Sequence, residues 1–113
     1  MNKENNTRIG HMLLYAKEAV KLALGKSKDD IENDRILNLA LVRLIEIVGE
    51  AAYNISPEGQ LKYPSIPWQQ IIGMRHRLVH GYDFVDFDIL YETLSQDLPP
   101  LIIELEKIIS SGE

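Results

Sequence analysis

The run from Asp29 to Ile55 constrains this chain most, because it holds no proline and Gly49 is its only glycine. A glycine inside a helix costs only about 1 kcal/mol relative to alanine, so the spacing predicts one long helix from Asp29-Asp30 to about Ile55. Leu37, Leu41, Leu44, Val48, Ala51 and Ile55 recur at helical spacing. Ile36, Leu39, Ala40, Ile47 and Ala52 widen that stripe to about half of the circumference or more. A helix so broadly apolar belongs at the centre of a core or is shared between copies. Gly49, Ala51 and Ala52 leave room for another backbone to approach.

The remaining segments read as further helices. Ile9, Met12, Leu13, Ala16, Ala19 and Val20 mark a first amphipathic helix, with Thr7 as its expected N-cap and Gly25 as its stop. Ser56-Pro57-Glu58-Gly59 and Tyr63-Pro64-Ser65-Ile66-Pro67 predict a long surface loop. Ser65 and Pro67 then open a third helix that continues through Trp68, Ile71, Ile72, Leu78 and Val79 and closes at Gly81. Asp86 or Asp88 caps a fourth, and Pro99-Pro100 predicts a kink or break before a last helix from Pro100 through Ile109. No strand signal and no repeat occurs, so the expected fold is all-α, an antiparallel bundle of four to five helices in one domain over residues 1–113.

Composition narrows the function classes. With 45% hydrophobic and 26% charged residues the chain is of ordinary globular type, and it lacks cysteine, which excludes disulfides and thiolate metal sites. No leader-like apolar segment follows the polar start, and no run approaches the ~18–20 apolar residues of a membrane span, so the expected location is the cytoplasm, without membrane attachment. The net charge of −5 argues against generic coating of nucleic acid.

Against that acidic background, no aspartate or glutamate occurs between Gly59 and Tyr82, where Lys62, Arg75 and Arg77 form a cationic island. Such an island favours an anion, phosphate above all. It contains Arg75-His76-Arg77-Leu78-Val79-His80, residue types suited to moving a proton at a phosphate that arginine clamps, which is the chemistry of metal-independent RNA cleavage. On a regular helix, however, five residues separate Arg75 from His80 by about 140°. The two can act together if the helix unwinds, if Arg75 reaches over, or if a second chain completes the site. The same residues also read as solvated side chains at a helix end, with the arginines paired to Asp83 or Asp86. A metal on His76 and His80 is disfavoured, since no HExxH pattern is present and His11 is remote. Glu46 and Glu50 read as an exposed pair on one helix face.

The pattern Arg75-x4-His80-x-Tyr82 resembles the Arg-x4-His-x-Tyr motif of HepT-like toxins in the HEPN superfamily of ribonucleases. Leu44-Ile45-Glu46-Ile47-Val48-Gly49-Glu50-Ala51-Ala52 is similar to that family's central helix. Ile66-Pro67-Trp68 with Ile71-Ile72-Gly73-Met74-Arg75 resembles the segment before the motif, and Asp97-Leu98-Pro99 one that follows it. The resemblance implies a HEPN-like bundle and a homodimer whose motifs meet across the interface. It also implies a toxin that cleaves RNA, tRNA included among the candidates, leaves a cyclic phosphate end and needs no cofactor. Arg75 and His80 are then the catalytic pair, and His76 and Arg77 are supporting residues. The implied partner is a minimal nucleotidyltransferase antitoxin, which in some members transfers AMP to the motif tyrosine, here Tyr82. His76 stands where the family often has asparagine, which leaves the role of that position open. The competing expectation is a non-catalytic nucleotide- or partner-binding subunit of a nucleotidyltransferase complex.

Overall fold

In the computed structural model, which describes residues 3–80 and 84–111, helices carry the fold. Helix α1 (Lys3–Ala23) buries Ile9, Met12, Ala16 and Ala19, a three- and four-residue repeat whose two alanines admit a close neighbour. It starts four residues before Thr7, whose hydroxyl donates back to the Lys3 carbonyl inside the helix instead of capping it. Gly25 ends the turn that follows with φ +76°, a conformation glycine adopts without steric cost.

The long central helix is interrupted. Helix α2 (Lys28–Glu32) ends at Asn33, and α3 (Arg35–Tyr53) begins anew, its first turn capped by the Asp34 carboxylate at the Leu37 amide. A capping box of Ser27 and Asp30 starts α2. Its last carbonyls are met from α3, where the Asn38 amide, buried to 2% exposure, donates to Ile31 and Glu32. The broad apolar stripe concealed this break, although Asn33 and Asp34 are helix-interrupting types.

Helix α3 buries Leu41, Leu44, Ile45, Val48 and Ala52, packing on α1, which also carries α8 (Leu98–Ser110); each large side chain contributes about 1.5–3 kcal/mol by leaving water. Buried Asn5 in the first turns of α1 exchanges hydrogen bonds with Ser56, just beyond the end of α3, so these two helices run antiparallel. Ile36 and Leu39 on α3 stay uncovered.

The expected loop contains a further helix, α4 (Pro57–Lys62), with Ser56 as N-cap and Pro57 in its first turn. Trp68 anchors the turns after it, its indole N–H donating to the carbonyls of Gln60 and Tyr63. The expected third helix is two short pieces, α5 (Trp68–Ile72) and α6 (Met74–Leu78), hinged at Gly73, and Pro67 precedes α5 without a side-chain cap. Beyond Leu78 lies a structure the sequence did not announce. Val79–His80 (β1) pairs antiparallel with Phe84–Val85 (β2). The Asp86 amide closes this ribbon on the Leu78 carbonyl. The expected helix end at Gly81 lies outside the described residues.

Of the two caps the sequence offers, Asp86 and not Asp88 caps α7 (Phe87–Glu92). A π-helical turn, Thr93–Asp97, then leads directly into α8. Pro99 and Pro100 sit in the first turn of α8, where their missing amides are least needed, and the widened turn before them accommodates the lost donors. The predicted interruption is therefore a π turn, and helix α8 starts at Leu98 rather than at Pro100.

Candidate active site

Helix α6 is anchored by Met74 and Leu78, which are four apart and buried to 1% and 0% exposure. That anchorage turns Arg75 and His76 to the surface. Val79 then leaves helical geometry, with φ −117° and ψ 119°. Valine favours extended backbone, and both Val79 and its cross-strand partner Val85 pack on the core. In extended chain the next residue points the opposite way, so His80 faces outward. Opposite it stands Phe84, also exposed, with the two ring centres 5.8 Å apart.

The separation of about 140° on a regular helix does not apply here, because the helix stops at Leu78, before His80. The i, i+4 placement of His76 and His80 on one helical face goes with it. Among the described residues neither imidazole has a hydrogen bond or ion pair.

The cationic island is not an island in space. Arg75 Nε donates to Glu46 Oε2 of α3 at 2.5 Å, and Arg77 Nη2 lies 3.5 Å from Asp97 Oδ2 of the π turn. The Arg77 Nε is buried without a partner. Lys62 lies at the end of α4, its ammonium 5.8 Å from the Tyr63 ring centre. A stretch that is free of acids in sequence meets acids from other helices, and among the described residues these partners are Glu46 and Asp97 rather than Asp86.

Arg75 and His76 line an open cleft of about 410 Å³ together with Glu46, Glu50, Gly49 and Tyr53. His80 is not in that lining and stands on the ribbon beside it. The residue that sequence reasoning missed is Glu46, which is not an exposed member of a pair with Glu50. Its side chain is 18% exposed and meets Arg75 on one oxygen and Arg43 on the other. Arg43, Glu46 and Glu50 at spacings of three and four were the available signal; the opposing α6 was not. Tyr82 lies outside the described residues.

A family model for HepT-like ribonucleases matches residues 12–108. The chain belongs to the HepT-like ribonuclease family. Arg75, His80 and the α3 residue Glu46 all fall inside the matched region. A "Putative RNase" of Caldanaerobacter subterraneus subsp. tengcongensis is 34% identical over 99 residues, 88% of this chain and 88% of the relative. A "Putative RNase" of Methanocaldococcus jannaschii is 32% identical over 102 residues, covering 90% of this chain and 84% of the relative. A "Probable ribonuclease HepT" of Thermococcus cleftensis is 36% identical over 80 residues, 71% of this chain and 73% of the relative. No solved structure gives a significant match. The all-α, HEPN-like fold agrees with this membership. Among the described residues no helix is long and apolar enough to cross a membrane.

Proposed function

We propose that this chain, as a single HEPN-like domain, is a cytoplasmic metal-independent endoribonuclease and the toxin of a toxin-antitoxin pair. Arg75 and His80 are its catalytic residues, brought together at a homodimer interface. The observation that carries the reading is their placement within the family match: both are exposed, Arg75 on a helix that ends at Leu78 and His80 on the extended chain directly after it.

The chemistry follows from these groups. The ribose 2′-oxygen attacks the adjacent phosphorus and its proton passes to a neutral His80 imidazole. The bond from phosphorus to the 5′-oxygen breaks, and that oxygen takes a proton from an imidazolium, leaving a 2′,3′-cyclic phosphate and a 5′-hydroxyl. Arg75 faces the charge that builds on the phosphorane. The imidazolium formed on His80 supplies that proton, so each site needs one histidine and the Arg75 of the other copy. Uncovered Ile36 and Leu39 on α3 are apolar surface of the kind a second copy buries. Transfer of AMP to Tyr82 by a nucleotidyltransferase antitoxin would place bulk and negative charge two residues from His80 and exclude RNA.

Purified protein incubated with RNA and a chelator should yield fragments with cyclic phosphate ends, and His80→Ala should abolish them. An unchanged cleavage rate in His80→Ala would overturn the assignment and favour the non-catalytic binding subunit.

A further inference from the structure

The cleft beside His76 contains a carboxylate that the proposed reaction does not use. Glu46 accepts from Arg75 through Oε2, and its Oε1 lies 3.7 Å from Arg43 Nη1. Arg43 in turn reaches Glu50 at 3.2 Å, so the four side chains form a row of alternating charge along α3 and onto α6. Glu46 is held on both oxygens and is mostly covered, at 18% exposure, whereas Arg75 remains 49% exposed. In the same cleft α3 stands close to the end of α5 at Gly49, where a Cβ would lie 3.1 Å from the Ile71 carbonyl oxygen.

The atom that Glu46 engages decides what the contact can do. A guanidinium donates from Nε and from two terminal nitrogens, and a phosphate is gripped by two parallel donors. Glu46 takes Nε. Both Nη groups therefore stay free of this bond, on a side chain whose swing about its own long stem is restrained. We propose that Glu46 is the positioning residue for Arg75, fixing the guanidinium so that its terminal fork meets the scissile phosphate; this rests on the ribonuclease reading above. The carboxylate also places a negative charge beside an anionic substrate, which weakens binding. Its removal should therefore lower kcat without raising KM.

The experiment compares RNA cleavage by wild type, Arg75→Ala, Glu46→Ala and Glu46→Gln, with thermal melting recorded for each. Glutamine keeps an oxygen that can accept from Nε and removes the charge. Glu46→Ala should lose about 10- to 100-fold in kcat with KM unchanged or lower, as misplacement of a catalytic group does. Glu46→Gln should recover most of that loss. Glu46→Ala at the wild-type rate beside an inactive Arg75→Ala would overturn the positioning role alone. Arg75→Ala at the wild-type rate would overturn this role together with the ribonuclease reading. A Glu46→Gln variant that melts like wild type yet is as slow as Glu46→Ala would overturn orientation as the cause.

Discussion

The α1–α3 pair and the segment from α5 to the ribbon are built on different principles. The pair buries an apolar repeat along its length, from Ile9 to Ala19 on one helix and from Leu41 to Ala52 on the other, and its few polar ties, such as Asn5 with Ser56, sit at the ends. The segment from Trp68 to Val85 is two five-residue helices, a glycine hinge and two paired residues on each strand of a ribbon. None of these pieces is long enough to be stable alone. They are held by a few anchors, Trp68, Met74 and Leu78, and by ion pairs to Glu46 and Asp97. The long pair supplies a frame, and the short pieces carry at exposed positions the Arg75, His76 and His80 of the proposed site.

Substitutions in the frame should therefore alter folding and leave the site's rate per folded molecule alone. The largest effect is expected from Leu41→Ala, at 0% exposure in the centre of α3, which should cost about 2–5 kcal/mol in denaturant unfolding. Cleavage normalised to the folded fraction should stay at the wild-type level; a rate loss beyond that fraction would erase the distinction between the two regions. Asn38→Ala removes the donor that ties α2 to α3 through Ile31 and Glu32 and should cost about 1–3 kcal/mol. Here the informative readout is hydrogen exchange, which should accelerate in α2 and not in α6.

The smallest effect concerns acid. Hydrogen bonds from the Ser27 backbone amide and hydroxyl hold the Asp30 carboxyl below its ordinary 3.8. A carboxylate whose native pKa is depressed adds stability that is present above its unfolded pKa and lost as pH falls through the native value. Wild type should thus melt slightly above Asp30→Asn at neutral pH, and the gap should close as pH falls through the lowered native value. A gap that persists in acid would mean the aspartate acts through something other than its charge.

The same contrast explains how much was legible in the sequence. Periodicity is a property of long elements, so α1, α3 and α8 and most of their buried positions could be read directly. The break at Asn33-Asp34 was hidden because Asn38 caps α2 from five residues further on, a contact that spacing alone does not reveal. The ribbon was invisible because two residues per strand cannot establish an alternation. Arg75 and His80 could be singled out as candidates from their types and order. Their electrostatic setting could not, because Glu46 lies 29 positions from Arg75 in the chain and meets it only when α3 packs against α6.

The central claim is a site shared by two copies, and mixing two inactive variants tests it most directly. Arg75→Ala and His80→Ala proteins, each inactive alone, are denatured together, refolded and assayed on RNA. If Arg75 of one protomer works with His80 of its partner, half of the randomly paired dimers hold one intact site and about a quarter of wild-type activity returns. No activity in a preparation shown to contain mixed dimers would contradict the account.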